Sequence, residues 1–346
     1  MEGDTVMARS SDSTAARPRE YLFDNCKALL ILLVVIGHFV EPSSEFQDNP
    51  LLYDIKWGIY SFHMPAFVFI SGYFSKKKAS LRKLFGSIAI PYFTYEILYY
   101  LLYLLLDKET GLYFARPKFS LWYLMALFFW RLLSPVILKI PGHMVLMTVA
   151  GLLIGCSELD NFLSIPRILY FFPFFLAGLH FDSSLLYRLR TPGKRLISLG
   201  LLGGYLVFLF TDNFHRNLTP WIFYGRYSYH DMGLSAPEGA AIRLLCYAFS
   251  FLLLFLLLLV LPDSPSRFSV LGERTLAIYI CHGYVFSILR YGTGLLDNVR
   301  GLPKSLFLLA FCVVLVWILS RPVFSRITGR IAHLPEFFRS FSARAQ

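Results

Sequence analysis

Long apolar runs separated by short polar connections set the pattern of this chain from residue 28 to residue 320. Ten runs reach or approach the length of a spanning helix: 22–40, 51–75, 84–106, 121–140, 144–157, 165–181, 196–210, 239–261, 274–291 and 304–320. Crossing the hydrocarbon core takes about 20 helical residues, so 144–157 and 196–210 fall shortest of that length. In lipid only helices and closed barrels satisfy their backbone, and these runs are too long for barrel strands. The pattern predicts an all-α fold: a polytopic membrane helical bundle of about ten transmembrane helices, built as one domain.

The connections assign the two sides. Lys and Arg concentrate in 76–83, 182–195 and the segment from Arg321 onward, whereas 41–50 and 158–164 carry acidic residues and neither Lys nor Arg. Basic loops stay on the cytoplasmic side, next to anionic lipid. The alternation therefore predicts an even number of spans with both termini cytoplasmic, in a multi-pass protein of the cell membrane. Residues 1–20 read as a disordered cytoplasmic tail without a cleavable signal peptide, 21–320 as the membrane domain, and 321–346 as a basic cytoplasmic tail.

Composition narrows the function classes. Only 16% of residues are charged, against about 25% in soluble domains, which excludes a soluble enzyme. The net charge of +11 sits in inter-helix connections, so its partner is membrane lipid and no nucleic acid is expected. The five cysteines are scattered, mostly inside apolar runs, with no metal-ligand spacing, and they read as small buried hydrophobes. No metal site is expected. Walker, GxSxG and HExxH patterns are also absent.

Against this background the polar residues inside apolar runs stand out. The first run reads "FDNCKALLILLVVIGHFVEP". Eleven residues from Lys27 to His38 turn a helix by about 1100°, leaving both on nearly one face and about 16 Å apart. Asp24 and Glu41 extend that stripe. Ionic groups at membrane depth face protein or a water-filled cavity, because lipid exposure is costly. His63 lies mid-run in "SFHMPAFVFISGYF", ahead of the helix-kinking Pro65; Glu96 follows "IPYFTY", and His282 lies in "RTLAIYICHGYV". Histidine gives and takes protons near neutral pH, so three buried imidazoles point to proton chemistry. Simpler readings stay open: inter-helix hydrogen bonds for His63 and His282, snorkelling for Lys27 and Arg131, and a helix-dipole position for Asp24.

These segments, in order, resemble the acyltransferase 3 family of integral-membrane acyltransferases, and within it the fucose 4-O-acetylase-like branch. The resemblance rests on "FDNCKALLILLVVIGHFVEP", "FHMPAFVFISGYF", "IPYF" after a basic loop, "LWYLMALFFWRL", "FFPFFLAGLHF" and "GERTLAIYICHGYV". It covers residues 19 to 290. Where the family often shows R-x-x-R, this chain reads "KKKASLRKLF", so Lys78, Arg82 and Lys83 are approximate equivalents.

The resemblance implies transfer of an acyl group, most often acetyl, from cytoplasmic acyl-CoA to a hydroxyl of a cell-surface or lipid-linked glycan. Acetyl-CoA is then a donor substrate and no cofactor is bound. In this expectation His38 is the general base or a transient acyl carrier, Glu41 orients it, and His63 and His282 line the site. Asp24, Lys27, Arg82, Lys83 and Glu96 are the donor- and substrate-binding candidates. The competing expectations are a proton-coupled transporter or flippase of a glycan-related substrate, and a non-catalytic part of a glycan export assembly.

Overall fold

In the computed structural model, which describes residues 20–211 and 214–332, helix occupies all ten apolar runs. No strand occurs among the described residues. The first helix is α1 (Tyr21–Val40), followed by α2 (Pro50–Tyr60) and α3 (His63–Tyr73). A π-turn at Phe85–Ala89 joins α4 (Leu81–Leu84) to α5 (Ile90–Leu105). Next come α6 (Trp122–Ile137), α7 (His143–Leu153), α8 (Ile165–His180), α9 (Ser183–Leu189) and α10 (Pro192–Thr211). The chain continues through α11 (Ala236–Val260), α12 (Ser269–Glu273), α13 (Thr275–Ser287), α14 (Gly301–Leu319) and α15 (Pro322–Ala332).

Length separates these helices. Six helical stretches are long and apolar enough to cross a membrane on their own: Tyr21–Ser43, Leu81–Leu105, Phe162–His180, Pro192–Thr211, Ala236–Val260 and Gly301–Leu319. Helix length and composition thus support six of the ten expected spans. The runs at 121–140 and 144–157 give shorter apolar helices, and 51–75 is divided in two. The seventh run gains four residues at its start, because Pro192 supplies a preformed helix entry and Lys194 and Arg195 continue the helix.

The division of 51–75 has a local cause. Pro65 has no N–H to bond the carbonyl four residues back, and its ring crowds that carbonyl. Residue 61 is that position. The helix breaks at Ser61–Phe62, where Phe62 has φ −146° and ψ −20°. The freed Ser61 carbonyl accepts a hydrogen bond from Ser250 Oγ of α11 at 2.6 Å. Sequence predicted a kink near Pro65; the structure moves it one turn earlier and converts it into two helices.

Contacts gather the connections at two opposite ends. At one, Tyr73 donates to Glu20 at 2.7 Å, Lys76 donates to the Phe181 carbonyl, and His143 meets His180 at 2.7 Å. The buried Asn25 amide donates to the Pro262 and Ser264 carbonyls at 2.9 and 3.0 Å and accepts from Ser266 and Ser269. At the other end Ser43 donates to Leu296, Asn49 to Val299, and the Tyr229 N–H to Gly155. The first end carries the basic connections; it is called the basic end below.

Close helix approach fixes the middle. A Cβ on Gly72 would lie 2.0 Å from the Phe175 carbonyl oxygen, and one on Gly178 equally close to that of Phe69. Helices α3 and α8 therefore cross backbone to backbone, as small residues permit in membranes. The aromatic run of α8 fills this core: Phe171, Phe172, Phe174 and Phe175 are at most 1% exposed.

The segment expected as a basic tail differs. Residues Pro322–Ala332 form α15, which packs beside α13 and α5. The rest of that tail, 333–346, and residues 1–19 of the expected N-terminal tail lie outside the described residues.

Candidate active site

Helix α1 carries Lys27 near its start and His38 near its end, and the structure turns both toward one cavity of about 380 Å³. Its walls come largely from α1, α3, α6 and α13, with Met64, Phe67, Tyr123, Leu127 and Tyr279 among the lining residues. A second cavity of about 460 Å³ adjoins it at the basic end and shares Lys27, Phe74 and Arg131 with it. Lys76, Lys77, Lys78 and Lys83 also line this second space, opposite the carboxylates of Glu20 and Asp24. A lysine-rich vestibule thus lies beside a mostly apolar cavity that His38 lines, with Lys27, Phe74 and Arg131 shared between them.

Asp24 forms an ion pair with Lys27 at 2.9 Å, one turn away on the same helix. Lys27 also lies over the Phe74 ring at 4.9 Å. Both candidates of the first helix therefore sit where vestibule and passage meet. Arg131, for which membrane anchoring was an open reading, stands at that same junction. Of the remaining basic candidates, Lys83 lines the vestibule, whereas Arg82 is exposed and lines neither space. If the junction binds an anionic donor, Arg131→Ala should raise the KM for acyl-CoA about tenfold, the scale of a charge-assisted hydrogen bond. It should also weaken the dependence of KM on salt. Initial rates at low and high ionic strength check this.

At the far end of the passage His38 lines the cavity, whereas His63 and His282 do not. The His38 and His282 rings are 5.4 Å apart between centroids, and Phe119 touches both, at 4.6 and 5.6 Å. His63 is 3% exposed at the start of α3, and its Nδ1 donates to the Ile59 carbonyl at 2.7 Å. His282 is fully buried, and its Nδ1 donates to the Ile278 carbonyl at 3.0 Å. A carbonyl only accepts, so both Nδ1 atoms carry hydrogen, and in the neutral ring Nε2 is then an acceptor. His282 Nε2 is buried without a hydrogen-bond partner.

Glu41 lies just past α1, in a turn. Tyr60 and Tyr224 donate to its two oxygens at 2.7 and 2.8 Å, and Lys56 lies 3.9 Å away. Among the described residues its contacts are these, rather than the His38 ring expected from its place on the stripe. It reaches the imidazoles indirectly: the Tyr60 ring meets His63 edge-on at 4.9 Å.

Glu96 forms a buried partnership with Lys118. It is fully buried, accepts from the Lys118 backbone N–H at 2.5 Å, and pairs with Lys118 Nζ at 3.3 Å. It lines neither space. Its effect is to pin the connection that delivers Phe119 and Ser120 to the passage.

The outer connections are pinned as well. His215 and Arg216 both bind Asp54 of α2, at 2.9 Å and 2.7 Å. Arg226 pairs with Asp160. Burial pushes the Asp160 carboxyl up, but the Arg226 hydrogen bond and charge outweigh this and hold it below its ordinary range. Sequence reading passed over Phe119, Ser120, Tyr60 and Tyr224. Their only signal was adjacency to polar residues, shared by many aromatics in this chain.

Comparison with known proteins decides the family. The acyltransferase domain of the acyltransferase 3 family matches residues 20–321. The chain belongs to that family. The match spans the helices that build both cavities and all nine candidate residues. Among curated proteins, nodulation protein NolL of Sinorhizobium fredii is 44% identical over 66 residues, 19% of this chain and 18% of NolL. The chain thus matches under a fifth of that relative's length. No solved structure matches. Among the described residues this acyltransferase 3 chain is all-helical, with six helical stretches long and apolar enough to cross a membrane.

Proposed function

We propose that the protein is an O-acyltransferase of the cell membrane, moving an acyl group, in all expectation acetyl, from cytoplasmic acyl-CoA to a hydroxyl of a cell-surface or lipid-linked glycan. In this reading the bundle makes ten crossings with both termini in the cytoplasm, and the basic end faces the cytoplasm.

One observation carries the proposal: a basic vestibule that shares Lys27, Phe74 and Arg131 with an adjoining, mostly apolar cavity lined by His38. The donor has the matching shape, with a polyanionic nucleotide, an extended arm and a terminal thioester. The vestibule's lysines, with Lys27 and Arg131, would hold the phosphates. From Lys27 to His38 the helix rises about 16 Å, a span that suits an extended pantetheine arm. The thioester then comes to lie beside the imidazoles.

His38 is the general base for the acceptor hydroxyl. Its ring has packing neighbours, and proton transfer needs a nitrogen free for the substrate. His63 and His282 offer further proton acceptors beside it. Glu41, held by Tyr60, Tyr224 and Lys56, belongs to the acceptor side, where the alcohol approaches from the end opposite the donor. Holding donor and acceptor end to end in a water-poor passage supplies rate by proximity.

Mass spectrometry of surface and lipid-linked glycans from matched strains with and without the protein tests this reading. The expected result is a difference of one acyl unit on a defined glycan. Identical glycans, with labelled acetyl-CoA unconsumed by membranes containing the protein, would overturn it and return the transporter reading.

A further inference from the structure

The chemistry above lacks one component. When an alcohol adds to a thioester, the carbonyl oxygen takes on negative charge, and catalysis requires a positioned hydrogen-bond donor for it. The flanking imidazoles of His63 and His282 do not supply one as neutral rings, because each has committed its N–H to a helix carbonyl.

The hydroxyls lining the passage can be sorted by where their hydrogens go. Ser71 donates to the Phe67 carbonyl, Ser75 to Ser71 and Ser87 to Lys83, each within its own helix. Tyr123 is engaged with the Ser71 hydroxyl, and Tyr279 with the Ser120 carbonyl. Thr275 opens α13, about two turns from His282 toward the basic end. Ser120 differs: it is 2% exposed, lines the passage, and its hydroxyl has no hydrogen-bond partner among the described residues.

The backbone around Ser120 is fixed from several directions. Glu96 binds the N–H and the ammonium of Lys118. Phe119 has φ +47°, a left-handed conformation that a bulky side chain adopts only when its surroundings impose it. Its ring stacks on Phe286 at 4.7 Å and packs against His38 and His282. Tyr279 ties down the Ser120 carbonyl, and the Tyr123 N–H bonds that same oxygen at 3.1 Å. The backbone of Ser120 is held firmly, and its hydroxyl, beside that of Tyr279 but without a hydrogen bond of good geometry among the described residues, is left to donate to a substrate.

We propose that Ser120 is the oxyanion-stabilising residue of this acyltransferase, an assignment that rests on the O-acyltransferase reading. The acceptor O–H gives its proton to a His38 nitrogen as its oxygen bonds to the thioester carbon. The carbonyl π pair moves onto oxygen, where Ser120 O–H donates to it. Collapse re-forms the carbonyl and breaks the C–S bond; the departing CoA thiolate takes the proton from His38. The products are the ester and CoA thiol.

The test uses membranes containing the full chain, labelled acetyl-CoA and the endogenous acceptor. Ser120→Ala should lower kcat at least about 100-fold, the scale of losing one oxyanion donor, with the KM for acetyl-CoA changed less than about twofold. Since serine does not titrate in this range, the shape of the pH–rate profile should be unchanged. Ser120→Thr, which keeps the hydroxyl, should recover most of the rate. If Ser120→Ala does not accumulate, Ser120→Cys replaces it: a thiol is a weak donor, and the same fall in kcat is expected. A kcat within threefold of wild type in the Ala or Cys variant, or a rise in KM alone, overturns the assignment. The His38→Ala variant separates the two levels: an inactive His38→Ala beside an active Ser120→Ala sinks the serine alone. An active His38→Ala removes the parent mechanism and the assignment together.

Discussion

His38→Ala is expected to reduce acyl transfer by two to four orders of magnitude, the range associated with loss of a general base, while the protein still reaches the membrane at its normal level. The second half of that expectation comes from the geometry. Around the His38 ring the structure shows packing against Phe119 and His282, and the ring faces an existing cavity. Truncation there enlarges a space that is already open rather than emptying a filled core. Stability losses from large-to-small changes scale with the new void, so the fold should register little. Labelled acetyl transfer, normalised to protein detected in the same membranes, measures both halves. Transfer within tenfold of wild type would remove His38 from the chemistry. Loss of the protein itself would mean that the imidazole is a packing residue.

Glu96→Ala should damage the fold and the reaction together. Glu96 is fully buried and Lys118 is 8% exposed, so removing the carboxylate strands an ammonium and a backbone N–H away from water. Breaking a buried pair in this way costs about 3–5 kcal/mol, though Lys118 keeps its bond to the Gly111 carbonyl at 2.8 Å. The strained Phe119 then loses one of its restraints, and Ser120 and the wall of the His38 site lose their fixed position. The expected outcome is a clearly lowered unfolding temperature in detergent and a fall in kcat larger than the rise in KM. Glu96→Gln keeps an acceptor for the Lys118 N–H and should lie between. Unchanged thermal stability and rate in Glu96→Ala would show that the Lys118 connection is held by other means.

Sequence reading and structure diverge most at Glu41, Glu96 and Arg131. Helical periodicity put Glu41 on the face of His38, and its backbone is still helical at φ −54° and ψ −44°, but sharing a face does not decide which side chains meet. One turn later the carboxylate belongs to Tyr60 and Tyr224, whose positions depend on elements 19 and 183 residues away. Glu96 was visible as an intramembrane carboxylate, yet its partner Lys118 lay in a connection with mixed charge that gave no hint of folding back. Arg131 was ambiguous because an arginine near a helix end serves equally as an anchor or as a cavity wall, and only the neighbouring helices distinguish these.

The sequence by itself determined that this is a helical membrane chain, and it marked Lys27 and His38 as one polar stripe. Those conclusions depend on local quantities: the length of apolar runs, the rise and twist of a helix, and the cost of a charge in lipid. Tertiary structure decided where that stripe points. It set the vestibule beside the passage, brought the His282 ring within 5.4 Å of His38, divided the second run beside His63, and left the Ser120 hydroxyl without a partner among the described residues. None of these follows from spacing along one helix. Each arises from the packing of side chains that are far apart in the chain, and a sequence records the residues available for that packing without recording which of them meet.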